Sequence, residues 1–178
     1  MSWEHELFTM FDDLESQAAA LWEADREAEL ADRARSEYAT VTLASRLMAS
    51  VGAPVSLELT GVGQVAGRLA RVGESWCLVC AAGQDWIVPL RHALLVHGAS
   101  ERSVPEVAWS PMHQLGLASA MRRLADAGTR CLLHLVDGGR HEAYVERVGA
   151  DFLECRTAAD ARMLVRFDTI VAVQSRDD

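Results

Sequence analysis

The chain has 178 residues, half of them hydrophobic, and a formal net charge of −9 at pH 7. This length and composition are typical of a globular protein with one or two cores and exclude a disordered chain. No apolar run approaches the ~20 residues of a membrane-spanning helix, and an acidic start with Glu4 and Glu6 does not resemble a signal peptide. We therefore expect a cytoplasmic protein.

The negative charge is concentrated in the first 50 residues, which hold 11 acidic residues and 4 arginines. Residues 51–127 are neutral, and residues 128–178 carry 9 acidic residues against 7 arginines. Proteins that bind nucleic acid usually present a basic face that displaces counterions. The acidic balance disfavours RNA as a partner, and no membrane partner is expected.

Residues 1–50 are predicted to form an acidic helical segment with coiled-coil character. Glu, Ala, Leu and Arg dominate it, and the first glycine is Gly52. A helix of ~48 residues would be ~70 Å long, so it is expected to bend back, pack on itself or pair with another chain. Five apolar residues follow the 4-3-4-3 spacing of a coiled-coil seam: Leu7, Phe11, Leu14, Ala18 and Leu21.

Residues 52–79 repeat at residues 128–155, with a constant offset of 76. The triplet Arg71-Val72-Gly73, for example, falls on Arg147-Val148-Gly149, and one extra residue enters the second copy after Cys155. Such a period indicates a duplicated module. In each copy, alternating apolar residues and glycine turns predict five short strands after a helix. We predict an α+β fold with a long N-terminal helix and two tandem barrels of the SH3-like kind, each a helix plus five strands.

This pattern also predicts the domain boundaries. An acidic helical segment covers residues 1–50, a first barrel covers 51–98, and a linker covers 99–111. A helix plus the second barrel covers residues 112–178, with the helix predicted from Met112 to Ala127. The sequence leaves open whether the two barrels pair with each other within one chain.

The second strand resembles the first motif of the Sm-like family, which includes the Sm and LSm proteins and the RNA chaperone Hfq. The motif places apolar residues around a glycine, and here it reads Val65-x-Gly67-x-Leu69-x-x-Val72-Gly73-x-x-Trp76-Cys77. The second copy has Ala143 at the position of Gly67. The layout also resembles a group of actinobacterial proteins with two such barrels, some labelled transcription regulators. The resemblance implies small, strongly bent barrels in tandem.

In the Sm-like family, an Asp and an Asn after the second strand hold a uridine. Gly73 and Gly149 stand at the Asp position of this chain, and Cys77 and Leu153 stand at the Asn position. Without these hydrogen-bonding groups, a base-specific pocket has little with which to read RNA. The resemblance therefore implies the architecture more than the uridine site.

Two functions follow from these patterns. The favoured one is a non-enzymatic interaction or scaffold protein, with a protein partner or self-association through the helix and through exposed strand edges. The alternative is an RNA-binding or transcription-associated regulator with the Sm-like architecture. Contacts to an anionic partner would come from seven arginines: Arg68, Arg71, Arg91, Arg122, Arg123, Arg130 and Arg147.

Neither a catalytic site nor a cofactor is predicted, because no phosphate loop, G-x-S-x-G string or other catalytic motif is present. Cys77 and Cys80 form a C-x-x-C string, but residues three apart on a strand point to opposite faces. His134 and His141 would face each other if Asp137-Gly138 were a two-residue turn, yet a third metal ligand is missing. We therefore expect ordinary buried cysteines and no metal site.

Trp76 and Phe152 occupy the same position in the two copies. Aromatic side chains on such barrels can serve as platforms on which nucleic-acid bases stack. A shared position within a repeat instead indicates a shared place in the core, so core packing is the favoured interpretation.

Overall fold

The computed structural model of the protein describes residues 3–111 and 113–175, without the side chains of residues 3–9, 12, 13 and 24. The Leu7 side chain of the predicted seam and Met112, the predicted start of the second helix, therefore lie outside the described residues. A long N-terminal helix and an antiparallel sheet of 10 strands are present, which confirms the α+β class. The chain divides into two compact units, Met1–Val41 and Thr42–Asp178.

The predicted N-terminal helix is two helices, α1 (Trp3–Tyr38) and α2 (Leu43–Met48). A capping box begins α2: the Thr42 hydroxyl accepts a hydrogen bond from the Ser45 amide, and the Ser45 hydroxyl accepts one from the Thr42 amide, both at 3.1 Å. Each bond satisfies a backbone N–H that the first turn of a helix leaves without an intrahelical partner. The capping box therefore fixes a new helix start at residue 42.

Two modules of five strands make up the rest of the second unit. The first module contains β1 (Pro54–Leu59), β2 (Gly63–Val72), β3 (Trp76–Ala81), β4 (Gln84–Pro89) and β5 (Ala93–His97). The second contains β6 (Arg130–Leu135), β7 (Arg140–Val148), β8 (Phe152–Arg156), β9 (Arg162–Arg166) and β10 (Ile170–Ser175). Short 3-10 turns at Leu90–His92 and Phe167–Thr169 precede β5 and β10, and a third, Glu106–Ala108, lies in the linker.

Helix α3 (Leu117–Ala127) connects the modules and packs on β7. It begins five residues later than the predicted Met112, because Gly116 still has extended backbone angles (φ −68°, ψ 170°). It ends at Gly128, whose φ of +61° is the left-handed conformation that glycine adopts without steric cost.

The two modules share one pattern of strand pairing. In the first, Leu57 of β1 pairs with Val96 of β5, and in the second the corresponding Leu133 of β6 pairs with Val173 of β10. Each module also has a register shift at the same place in its second strand, just before Arg71 or Arg147. The sequence repeat is therefore also a repeat of strand order and register.

The modules join because β4 pairs with β10, with Ile87 opposite Val173 and Trp86 opposite Gln174. All ten strands form one sheet in the order β5-β1-β2-β3-β4-β10-β6-β7-β8-β9. This sheet is open, so the predicted pair of separately closed barrels is not confirmed. The two modules do pair within one chain, and β5 and β9 are the edges of the sheet that results.

Strand β10 contributes to two hydrophobic cores. Its residues Val171 and Ala172 belong to the core of the first module, whereas Ile170 and Val173 belong to the core of the second. Trp76 of β3 also packs into the second core, which agrees with the predicted core role of this tryptophan. The two modules therefore share their interior as well as their sheet.

Candidate interaction surfaces and cavity

Helix α1 exposes the apolar seam that its sequence predicts. The described seam side chains, Phe11, Leu14, Ala18 and Leu21, are all exposed, and Leu21 keeps 68% of its surface accessible. Exposed apolar residues at coiled-coil spacing are typical of a helix that packs against another one. The seam is therefore a candidate surface for association.

A polar network crosses the junction between the modules. The His134 ring of β6 stacks on Trp86 of β4, with ring centroids 5.2 Å apart. Gln174 of β10 donates its amide nitrogen to the Gln84 side chain. Its amide oxygen is then free to accept from Nε2 of His134 at 3.1 Å, so Nε2 carries the proton. Nδ1 of His134 is buried and has no hydrogen-bond partner among the described residues.

This environment favours the neutral form of His134. Burial lowers the pKa of the imidazole, the charge of Arg140 lowers it further, and the bond to Gln174 opposes both effects. A second proton, on Nδ1, would leave a buried donor without an acceptor within the described structure. The junction is therefore built around an uncharged histidine.

Strand β5, at one edge of the sheet, exposes two leucines whose counterparts in the repeat are buried on β10. Residues of β5 correspond to residues of β10 at an offset of 77, so Leu94 and Leu95 match Val171 and Ala172. Both β10 residues are fully buried, whereas Leu94 is 61% and Leu95 is 52% exposed. Strand β5 thus carries the side chains that β10 inserts into the first core, with nothing in the chain to receive them among the described residues.

The β9 edge shows the same relation. Ile87 of β4 is half-buried against the second core, and its counterpart on β9, Leu164, is 70% exposed. In the described residues β9 pairs only with β8. The two edge strands, β5 and β9, therefore correspond in the repeat to β10 and β4, the two strands that pair at the junction.

The seven predicted anion-binding arginines do not act as one group. Arg130 and Arg147 form ion pairs with Glu142 and Glu154, each at 3.7 Å. Arg91 donates to the backbone oxygen of Phe167, and Arg68 and Arg122 are exposed on the surface. The remaining two, Arg71 and Arg123, are also exposed, and both line one cavity.

That cavity has a volume of about 450 Å³ and lies between β2–β4, the segment 113–115, α3 and β10. Hydrogen bonds hold the segment in place: Nε1 of Trp76 donates to the Leu115 oxygen at 2.8 Å, and Nδ1 of His113 donates to the Val72 oxygen at 3.1 Å. Its volume is within the range of small-molecule sites. Sequence reasoning did not find this cavity, although the repeat held a signal, since Leu78 on its wall replaces the glutamate of the second copy.

The two-residue turn that would bring His134 opposite His141 does not form. The β6–β7 loop has four residues, Val136–Gly139, and not two, so His134 lies opposite Arg140 and His141 lies opposite Leu133. Within the described residues, no group of three or more His, Cys, Asp and Glu side chains is placed to hold a metal ion.

The four cysteines are free thiols. Burial raises the pKa of Cys77 to about 12, and burial followed by neighbouring charge raises the pKa of Cys131 to about 12 and that of Cys155 to about 11. Cys80 is only partly buried, and its pKa is raised chiefly by a hydrogen bond to Asp85. Three of the four are therefore the ordinary core cysteines that the sequence predicts.

No described helix combines the length and the apolar composition that crossing a membrane requires. A scan against protein-family models and a search of curated proteins both give no match to this chain.

Proposed function

We propose that this protein is a non-enzymatic scaffold that self-associates through the two edges of its sheet and through helix α1. The observation that carries this proposal is the exposure of Leu94, Leu95 and Leu164, whose counterparts are covered at the junction between the modules. Unpaired edges with exposed aliphatic residues readily pair with another chain.

The junction provides a template for the contact between copies. If β9 of one copy pairs with β5 of the next as β4 pairs with β10, Leu164 lies opposite Val96, and Met163 lies opposite His97. Such a contact joins two different surfaces, so it repeats from copy to copy and forms either a closed ring or a filament. A scaffold of repeated modules is the expected product.

We also infer that each module is a small, strongly bent barrel of the Sm-like kind. Gly67 supports this inference, because a Cβ on this residue would lie 2.3 Å from the Cys80 backbone oxygen. Such a close approach of two strands is typical of tight bends in small barrels. The four free cysteines suit a reducing compartment, and we therefore assign the protein to the cytoplasm.

Analytical ultracentrifugation of the full chain tests this function. Wild-type protein should sediment as an oligomer, and Leu164→Glu or Leu95→Glu should reduce it, because each places a charge where an apolar contact is expected. Val107→Glu is the matched control, since Val107 is 95% exposed but lies in the linker. A monomeric wild type would contradict the proposal.

Mixing the two edge variants gives a sharper result. Leu164→Glu leaves β5 intact, and Leu95→Glu leaves β9 intact, so one chain of each should form a dimer that cannot grow further through the sheet edges. In the helix, Leu14→Glu combined with Leu21→Glu should weaken association, while Leu30→Glu, off the predicted seam, should not.

RNA retained on a filter by the full chain at ~50 mM salt, where electrostatic binding is strong, would instead favour the RNA-binding alternative.

A further inference from the structure

The wall of the cavity at the junction differs in one residue pair from the corresponding part of the second module. In the second module, Arg147 of β7 lies opposite Glu154 of β8, and the two side chains form an ion pair. In the first module the corresponding Arg71 lies opposite Leu78. The arginine has the same place on the sheet in both modules, but its partner is acidic in the second and an apolar residue of the cavity wall in the first.

A second arginine reaches this wall from the opposite side. Arg123 extends from α3, and it lines the cavity together with Arg71. Neither guanidinium forms a hydrogen bond or an ion pair with any residue that the structure describes. Two arginines from separate elements therefore line the cavity, each without an ion-pair partner among the described residues.

The remainder of the wall is largely apolar. Trp76, Leu78 and Ile87 line it from the first module, and Leu124 and Val173 line it from the second. Trp76 and Val173 are buried residues of the second core, so these walls are held by core packing. A molecule in the cavity would contact a fixed hydrophobic surface.

One acidic residue, Asp85, also lines the cavity. It lies in the row of Cys80, two residues along β3 from the row of Arg71 and Leu78, which corresponds to ~7 Å at the rise of a strand. Asp85 interacts with the Cys80 thiol through a side-chain hydrogen bond. Asp85 and Arg71 therefore lie in different rows of the sheet, and the two arginines outnumber the one acidic residue on the cavity wall.

We propose that this cavity binds a small carboxylate with an apolar body, with the carboxylate held by Arg71 and Arg123 and the body packed on Trp76, Leu78 and Ile87. Arginine presents donors in a fork that matches a carboxylate, and the volume of about 450 Å³ suits a small molecule. The binding site lies within one chain and does not depend on the proposed self-association.

Isothermal titration of the full-length protein with octanoate tests the proposal. Octanoate should bind with saturation at one site per chain, whereas octylammonium of the same length should not bind, and 1-octanol should bind at least ~10-fold more weakly. Equal binding of octanoate and 1-octanol, or no saturable octanoate binding, would refute the site.

Variants locate the site. Arg71→Gln and Arg123→Gln should each weaken octanoate binding by ~10-fold or more. Arg122→Gln, on the same helix but away from the cavity, and Arg147→Gln, the repeat counterpart, should leave it unchanged. Unchanged affinity in both Arg71→Gln and Arg123→Gln would disprove the assignment.

Leu78→Glu restores the acidic partner found in the second module, so it should neutralise Arg71 and abolish octanoate binding. Leu78→Met is its control, because it keeps the wall apolar and should bind octanoate like wild type. Because a buried charge can also unfold a protein, thermal unfolding of both variants is compared, and the arginine variants decide the outcome if Leu78→Glu is unfolded. A folded Leu78→Glu variant that still binds octanoate would overturn the proposal.

Discussion

Gly67 is a position at which one added methyl group should be costly. An ideal Cβ there would lie 2.3 Å from the Cys80 backbone oxygen, 2.8 Å from its carbonyl carbon and 2.9 Å from Cγ1 of Val79. Two of these three atoms belong to the backbone and cannot rotate away, so β2 and β3 have to separate. Overpacking of this kind costs about 1–3 kcal/mol, and we expect Gly67→Ala to lower the free energy of unfolding by that amount.

The second module shows how the same methyl group is accommodated. Ala143 occupies the position of Gly67, and Cys155 and Cys131 replace Val79 and Val55 beside it. An unbranched cysteine leaves the space that a valine methyl group fills. Val79→Cys alone should cost about 1 kcal/mol for the lost methyl group, but combined with Gly67→Ala it should cost less than the sum of the two, with a coupling of ~0.5 kcal/mol or more.

Urea denaturation of the four proteins, followed by tryptophan fluorescence, measures this coupling. Gly116→Ala is the control, because a Cβ at Gly116 meets nothing within 4 Å and its φ of −68° suits any residue. The control should stay within ~0.5 kcal/mol of wild type. If Gly67→Ala is as stable as this control, the steric explanation is refuted. If the two substitutions are additive, Val79 has no part in the clash, and the contact with the Cys80 backbone accounts for the whole cost.

Two further predictions concern titratable side chains. Because the pKa of His134 is lowered by folding, the unfolded state takes up a proton more readily than the folded state. The contribution of His134 to stability is therefore complete above pH 6.5 and is lost as the pH drops through this value towards the folded-state pKa. His134→Gln should reduce the change in urea midpoint between pH 7.5 and 5.5, and an unchanged pH dependence would contradict the prediction. Iodoacetamide should modify Cys80 in the native protein long before the other three thiols, because their burial keeps them inaccessible. Cys77 and Cys80 lie on the same tryptic peptide, residues 72–91, so tandem mass spectrometry, which locates the modified cysteine within a peptide, should show this order.

Strand content was predictable from the sequence because both of its signals are local. Alternating apolar residues such as Val55, Leu57 and Leu59 determine which face of a strand is buried, and glycine-rich turns determine where strands end. The repeat added a second, independent reading of the same pattern. The start of α3 was predicted too early because helix propensity does not show two hydrogen bonds to the first module. One joins the His113 ring to the Val72 oxygen, and the other joins the Trp76 ring to the Leu115 oxygen.

The junction was not predictable in the same way, because the pairing of β4 with β10 joins residues 86 and 174, which no sequence pattern connects. The sequence could only indicate that edges would be exposed. Likewise, the seven arginines have the same charge in the sequence, and only the fold shows that Arg147 pairs with Glu154, whereas Arg71 lies on a cavity wall with no ion-pair partner among the described residues.

The two copies of the module have therefore diverged at the positions where their surroundings differ. Leu78 packs against the second core and lines the cavity, whereas Glu154 pairs with the arginine on the neighbouring strand. Leu164, like Leu94 and Leu95, departs from this pattern, because it is apolar although it is 70% exposed at an edge of the sheet. Strand β9 also contains Arg162 and Arg166, so an exposed leucine between them needs an explanation. Covering of β9 by β5 of another copy would supply it, and this is the contact that the mixed edge variants test.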